Sequence, residues 1–494
     1  GFRPAVVTPL IMDPGDGSFG NLTELQMVGR LRPGVPRAEA DRAIRKVIAE
    51  IPLFEILREG ADGPVLGPLQ AVLTGPLRPA MIGAVVAAGL VLLIACANVV
   101  NLLLVRLRNR DRELAVRTAL GADRDQLITL LLAEGVVLSV AAGLVGTALA
   151  FALEGRLAAM LPPEFQPGEF TVAGAPLVLS LAAGLLVTIV CGLVPALSLG
   201  RGRSQLPLGA RAVGAHRAGA RWTSVLIAGE IGLALVVTYS SFALGFGLLR
   251  LRRAELGFVP EHLHTMRLAP VERRYRDPDL RRLLVDGLLE RARAIPGVEA
   301  AGAIHFLPIA DAGPGLRFHP GPPDGSDPVG ASYRVITPGY LETMGIAIEA
   351  GRAVSEADAV GGDPVGLVNG TMARRYWPGE SAIGKRLYRT SGELLFTVVG
   401  VIADVRQNGL AIAPEPELYL PLHQTAWASA MTIVVRSREA QPLVATALRD
   451  IVRSIDPNLP ITRVAAMDAI VRASTATDRM LTVVFGIFAM LSLG

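Results

Sequence analysis

The segment Gly379-Glu-Ser-Ala-Ile-Gly384-Lys385 has the glycine and lysine spacing of a loop whose backbone amides cradle nucleotide phosphates. The next residue is Arg386, where such a loop needs a Ser or Thr hydroxyl for Mg²⁺, so ATP hydrolysis is not expected of this chain. The six histidines (His216, His262, His264, His305, His319, His423) show no H-E-x-x-H or similar spacing, and the close pair His262 and His264 reads as a surface pair. No Ser/His/Asp set or metal cluster can be assembled, so no catalytic residue, metal or cofactor is assigned. The remaining chemical candidates are polar groups inside apolar runs: Asn98, Asn101, Glu134 and Glu230. Ionisable groups there suit a proton relay or a switch in helix packing, and interhelical hydrogen bonding is the plainer alternative.

Those runs organise the chain. It has 494 residues, 51% hydrophobic and 19% charged, and its mean hydropathy is +0.45. That balance excludes a disordered chain and disfavours an ordinary soluble enzyme. The net charge of +4 gives no support to nucleic-acid binding, and the two cysteines, Cys96 and Cys191, define no disulfide framework. Four runs, 80–105, 127–153, 176–199 and 223–249, are long enough to cross a bilayer as helices, and another begins near Met480. Glu134 tests the second: a mid-bilayer charge costs roughly 3 kcal/mol. Fourteen Leu, Ile, Val and Phe residues between 127 and 153 return about 6 kcal/mol, so the span survives. The same reasoning covers Glu230.

Arginines set the orientation. The 106–126 loop carries six (Arg106, Arg108, Arg110, Arg112, Arg117, Arg124), and 200–222 carries five with no acid, whereas 154–175 carries only Arg156. The two basic loops therefore face the cytoplasm, leaving 1–79, 154–175 and the long 250–479 segment outside. Arg250, Arg252 and Arg253 run against this rule, from which long translocated domains are exempt.

A repeat is visible as well. LQMVGRLRPGVPRAEADRAIRKVIAEI (25–51) resembles MTIVVRSREAQPLVATALRDIVRSIDP (431–457), each reading as a short strand ending in Arg (Arg30, Arg436), a turn and an amphipathic helix. The period is 436 − 30 = 406 residues. The 250–479 segment reads as α+β: Asp277-Pro278 starts a helix whose face is Leu280, Leu283, Leu284 and Leu288, and Ile295-Pro296-Gly297 ends it. Strands are expected at 298–306, 395–402 and 432–436, with Pro- and Gly-rich loops over 311–330.

The stretch RDRELAVRTALGADRDQL (110–127) resembles the signature of FtsX/MacB-type ABC transporter permeases. LLIACANVVNLLLVR (92–106), ITPGYLETMGIAIEAGR (336–352), NGTMARRYWPGESAIGKRL (369–387), TVVGVIADVRQNGL (397–410) and PELYLPL (416–422) are similar to the duplicated bacterial permeases of that family, with a MacB-like periplasmic core domain. The resemblance implies a bacterial inner-membrane permease with helical spans and a large α+β extracytoplasmic domain, built as two FtsX-like units, both incomplete in this chain. It implies six segments: 1–79, the tail of a first periplasmic core domain; 80–199, a three-helix membrane domain; 200–222, a basic cytoplasmic linker; 223–249, the first span of the second unit; 250–479, the second core domain; and 480–494, the start of the next span.

The implied mechanism is mechanotransmission, in which a separate cytoplasmic ATPase dimer moves the membrane helices and hence the outer domain. Arg112, Glu113, Arg117, Gly121 and Ala122 match the short helix that docks on that ATPase. Glu113 and Arg117 are spaced i, i+4, and Gly121 suits a helix end. A periplasmic adaptor or envelope protein is a further expected partner. The alternative is a regulatory or scaffold protein controlling an envelope partner without moving a substrate.

Overall fold

The computed structural model describes residues 28–50, 66–69, 78–109, 124–158 and, with short gaps at 269–274, 276, 312, 359–360 and 426–429, residues 211–493, besides a few isolated positions. The chain divides into two compact units: a membrane unit over 74–250 and 476–494, and an outer unit that includes 251–475.

In the membrane unit the long helices are α2 (Arg78–Asn109), α3 (Arg124–Ala158), α4 (Arg211–Arg252) and α10 (Ala476–Leu493). Their central stretches are apolar all round, the pattern of a helix whose solvent is hydrocarbon, while α4 begins in the basic 211–222 segment. Met81–Val99 and Ile227–Arg252 are long and apolar enough to cross a membrane, and Val140–Leu153 of α3 is a shorter apolar stretch. The expected span over 176–199 lies almost wholly outside the described residues. Helix α10 packs beside α2 and α4: a Cβ on Gly83 of α2 would sit in ordinary contact with Phe485, at 3.8 Å, and one on Gly245 of α4 with Thr482, at 3.9 Å.

The outer unit contains eleven strands in one connected sheet. Strands β1 (Leu263–Leu268), β2 (Val298–Ile304), β10 (Met431–Ser437) and β11 (Ile461–Ala466) lie in the order β11-β1-β10-β2, all antiparallel to their neighbours. Helix α5 (Pro278–Arg293) joins β1 to β2 and α8 (Gln441–Ile455) joins β10 to β11, giving two split βαβ units interleaved in one sheet. The second lobe is inserted between β2 and β10. Its strands β4 (Val329–Ile336), β3 (Gly315–His319), β7 (Arg386–Arg389), β8 (Leu394–Ile402), β6 (Val365–Asn369) and β9 (Glu417–Pro421) pair in that order, and β9 closes on β4 as a six-stranded barrel. The short β5 (Ile348–Gly351) pairs with β8 alone. One Cα pair, Ile304↔Ile336, joins the four-stranded sheet to the barrel.

The sheet is buried on both faces. Met431, Ile433 and Val435 of β10 point into a core with Leu284, Leu288, Val444 and Leu448, while Val434 points into a second core with Tyr340, Met344 and Met467. Helix α6 (Tyr340–Met344) reaches that second face because residue 302 is glycine: a Cβ there would meet the Tyr340 Cα at 2.6 Å. The outer unit also contains α7 (Gly370–Tyr376) and α9 (Met467–Ser474), and α1 (Arg37–Glu50) precedes the membrane unit in sequence.

Four expectations are corrected. His262 and His264 are not a surface pair: His264 lies on β1, between β10 and β11, and is buried with Nε2 3.2 Å from the Ser437 carbonyl oxygen. Helix α5 starts as read, with the Asp277 side chain accepting from the Asp279 N–H at 2.8 Å, but its buried face is Leu284, Val285, Leu288, Leu289 and Ala292. Leu280 and Leu283 are exposed, because Val285, Leu289 and Ala292 extend the opposite arc of the helix toward the sheet. The expected loop over 311–330 contains β3, whose β-forming Leu316 and Phe318 find a partner in β4. Residues 28–30 form no strand, since a strand exists only by pairing and none lies beside them among the described residues. The helix after them, α1, does form.

Candidate functional site: the linker joint of the outer domain

The residues matched to ATPase docking, Arg112, Glu113, Arg117, Gly121 and Ala122, lie outside the described residues. Glu134 falls within α3, with its side chain not described. Asn98 and Asn101 stand one turn apart on α2, Asn98 exposed and Asn101 half-buried, and Glu230 is half-buried on α4. The described structure brings none of these into a cluster with another titratable group. Among the described residues no three His, Cys, Asp or Glu converge as a metal site. The glycine-lysine loop at 379–385 turns into β7 rather than into a helix, and Lys385 is ion-paired with Glu380, so the helix N-terminus that cradles phosphate is missing there.

The outer unit is distinctive in how it grips its own connecting segments. The chain from α4 enters through residues 253–262 and leaves through β11 and α9. The entering segment passes so tightly against the loop after β8 that a Cβ on Gly257 would lie 2.1 Å from the Asp404 carbonyl oxygen; Gly257 is also at φ +79°, which only glycine adopts freely. Two arginines strap the segment down. Arg406 donates through Nε to the Glu255 carbonyl at 3.2 Å and through NH1 to the Leu410 and Ile412 carbonyls at 2.9 and 2.8 Å. Arg436, at the end of β10, donates to the carbonyls of Thr343 (2.9 Å), Glu261 (3.0 Å) and Val259 (3.1 Å). Partial burial lowers its pKa from the ordinary value, against the pull of Glu299 and Glu261.

Behind Arg406 the joint connects to a buried polar network. The next residue, Gln407, donates through Nε2 to Glu417 Oε2 (3.0 Å) and to the Tyr419 hydroxyl (2.8 Å), and Tyr419 donates to the same carboxylate at 2.6 Å. Arg334, fully buried on β4, donates through Nε to Glu417 Oε1 at 3.1 Å. Burial pushes the Glu417 carboxyl up, with Arg334 pulling it back, and burial likewise raises the Tyr419 phenol. Among the described residues, the Arg334 terminal nitrogens, Gln407 Oε1 and the Tyr340 hydroxyl have no hydrogen-bond partner. An ion pair of this kind contributes little net stability but makes the loss of one partner costly, so it fixes one arrangement of β4, β9 and the 404–408 loop. Consecutive residues thus face opposite ways: Arg406 holds the linker and Gln407 holds the barrel.

The exit lies beside the entry. Strands β1 and β11 are antiparallel neighbours, with His264 opposite Ala466 and Thr265 opposite Ala465, and the Thr265 hydroxyl donates to the Ala465 carbonyl at 2.9 Å. Asp311 pairs with Arg267 of β1 at 2.6 Å and with Arg463 of β11 at 3.3 Å. The site therefore carries no reactive group: it binds two chain connections side by side and ties them to a rigid barrel. Arg406 and Gly257 escaped sequence reading. The 397–410 motif contained Arg406 without revealing its carbonyl partners, and a glycine required by a close approach leaves no spacing signal.

Residues 85–202 match the FtsX-like permease C-terminal family and residues 227–451 match the MacB-like periplasmic core domain. The chain is 37% identical over 86 residues to an uncharacterized ABC transporter permease, YknZ, of Bacillus subtilis (strain 168), covering 17% of this chain and 20% of that protein. It is 24% identical over 177 residues to the macrolide export ATP-binding/permease protein MacB of Burkholderia lata, covering 35% and 24%. It is 36% identical over 119 residues to the pyoverdine export ATP-binding/permease protein PvdT of Pseudomonas savastanoi pv. phaseolicola, covering 24% and 16%. The chain therefore spans a quarter or less of the length of these relatives. The periplasmic region of MacB from Actinobacillus actinomycetemcomitans aligns over 43% of this chain and 92% of its own at 13% identity, with a TM-score of 0.31.

Proposed function

Because this chain belongs to the FtsX-like permeases that carry a MacB-like periplasmic core domain, and is an inner-membrane protein with a large extracytoplasmic domain, we propose that it is the permease subunit of an ABC-type efflux or mechanotransmission system. A separate cytoplasmic ATPase dimer hydrolyses ATP, and the resulting helix motion is passed to the outer domain. The observation that carries this reading is the joint: both connections run into paired neighbouring strands, β1 and β11, and the entering one is clamped by Arg406 and Arg436. A displacement of either connection is thereby delivered to one hydrogen-bonded sheet rather than dissipated in a loose linker.

The division into a first core-domain tail (1–79), a membrane domain (80–199), a basic linker (200–222), a new first span (223–249), a second core domain (250–479) and a further span (480–494) is part of the proposal. So is the assignment of two FtsX-like units, both incomplete in this chain. Support comes from the recurrence of an amphipathic helix ahead of an apolar one, α1 before α2 and α8 before α10. The proposed ATPase-docking positions are Arg112, Glu113, Arg117, Gly121 and Ala122. The intramembrane polar positions of the proposal are Asn98, Asn101, Glu134 and Glu230, as members of a proton relay, a switch in helix packing or interhelical hydrogen bonds.

Charge reversal at both Glu113 and Arg117 is expected to abolish co-purification with the ATPase, and unchanged binding would overturn the docking assignment. Hydrogen exchange on the assembled complex is expected to show ATP-dependent changes in β1 and β11; a β1–β11 ladder indifferent to nucleotide would overturn the transmission mechanism.

A further inference from the structure

Barrel closure removes most strand edges in the outer unit, but it leaves one fully exposed. All four residues of β5 are exposed, with Ile348 at 44%, and no described strand runs along the side opposite β8. This edge is held firmly. Gly351, at φ +77°, lies opposite Gly400 in close approach: a Cβ on Gly351 would be 2.2 Å from the Val399 carbonyl oxygen, and one on Gly400 would be 2.2 Å from that of Arg352. The turn beyond is clamped by a two-pronged ion pair, Arg352 to Asp358 at 2.7 and 2.7 Å, with the Ser355 N–H donating to the same carboxylate at 2.8 Å. The Arg352 guanidinium holds the Asp358 carboxyl below its ordinary pKa.

Beside β5 runs a groove of about 440 Å³ whose walls include Leu341, Ile346, Ile348 and Val354. Glu342 lines it and Glu349 sits on β5 itself, and neither has an ion pair among the described residues.

We propose that β5 and this groove are the docking site for an extended segment of a partner protein, apolar at alternate positions and Lys- or Arg-bearing between them. The segment adds to β5 as a further strand. An open backbone edge asks for main-chain donors and acceptors, which an extended peptide supplies. Successive side chains of a strand point to opposite faces, so alternate apolar residues enter the groove beside Ile348 while the intervening cations lie on the face of Glu349. The rigid edge needs no ordering on binding, which favours affinity.

The test uses the full chain in dodecyl maltoside and the fluorescein-labelled peptide acetyl-Lys-Val-Arg-Val-Lys-Leu-Arg-amide. Binding is expected, and it weakens at least tenfold when the amides along one edge of the peptide are N-methylated, when its cations are replaced by Glu, or in the Glu349→Lys and Ile348→Asp variants. Hydrogen-exchange protection of β8 in each variant confirms that the barrel is folded. Equal binding of the N-methylated peptide overturns strand addition, because charge alone then holds the ligand. No binding at millimolar peptide overturns the site, and self-association that Ile348→Asp abolishes assigns the edge to a second copy instead.

Discussion

The two units of this molecule bury opposite things. On the membrane helices large apolar side chains point outward, with Val85 at 72% exposure, Tyr239 at 76% and Met490 at 74%, whereas the outer unit encloses Arg334 at 0% and Glu417 at 2%. The same chain obeys one rule in two solvents. Hydrocarbon accepts the apolar surface and rejects unpaired polar groups, while in the water-facing unit a charge goes inside only when a partner meets it. Removing one partner of the buried pair has the largest expected effect. Arg334→Met leaves the Glu417 carboxyl buried against Gln407 and Tyr419 and is expected to cost about 3–5 kcal/mol. The double variant Arg334→Met with Glu417→Met should recover most of that loss. Native-state hydrogen exchange of β4 and β9 in the full chain reads both, and a double variant as unstable as the single would show that the charges themselves hold the fold.

The next contrast sets one residue type in both solvents. Leu448 of α8 is 2% exposed in the outer core and Leu235 of α4 is 62% exposed. Leu448→Ala is expected to lose about 3 kcal/mol through cavity formation. Leu235→Ala should lose well under about 1 kcal/mol, since lipid replaces the contacts. A large cost at Leu235 would mean that a protein partner, not lipid, covers that face of α4.

How much of this could be read from residues alone follows the same division. The apolar runs announced α2, α3 and α4, because a membrane helix is specified by composition over some twenty residues. The cap at Asp277, the strand at 298–304 and the strand ending in Arg436 were legible for a similar local reason. Features made by distant residues were not. Closure of β9 on β4 depends on register between segments 83 residues apart in the Arg334–Glu417 pair, and neither partner carries a periodic signal. Leu283 looked like core because its spacing fitted one face of a helix. Which arc faces the sheet was decided by Val285, Leu289 and Ala292, and reading it required knowing where the sheet was. The likeness of the two repeat segments held for the helices but not for the strand at 28–30, since strand formation, unlike helix formation, depends on a neighbour.

The joint lies between these extremes. Gly257→Val forces a side chain into the Asp404 carbonyl at a backbone conformation hostile to it, with an expected cost of about 2 kcal/mol at the linker. The consequence should be local. Protection of residues 255–261 falls, β8 and β9 keep theirs, and nucleotide-dependent changes in β1 diminish. If the variant alters barrel protection as much as linker protection, the joint is part of the core rather than a strap upon it.

The smallest expected effect concerns the boundary between the two lobes of the outer unit. His423 Nε2 lies 3.1 Å from Asp286 of α5, and Arg282 NH1 donates to the His423 carbonyl at 3.0 Å. The hydrogen bond to Asp286 raises the His423 pKa above its ordinary value, against partial burial and Arg282. A raised pKa means that the pair adds stability fully below the unfolded value of about 6.5, and that this stability fades as pH rises through the higher folded value. Asp286 is 45% exposed, so solvent screening holds the contribution to about 0.5 kcal/mol. Exchange at α5 and at residues 422–424 should therefore quicken modestly between pH 6 and pH 8 after correction for the intrinsic rate, and His423→Gln should flatten the profile. An unchanged profile in that variant would place the pH dependence elsewhere and leave α5 held to the barrel by Arg282 alone.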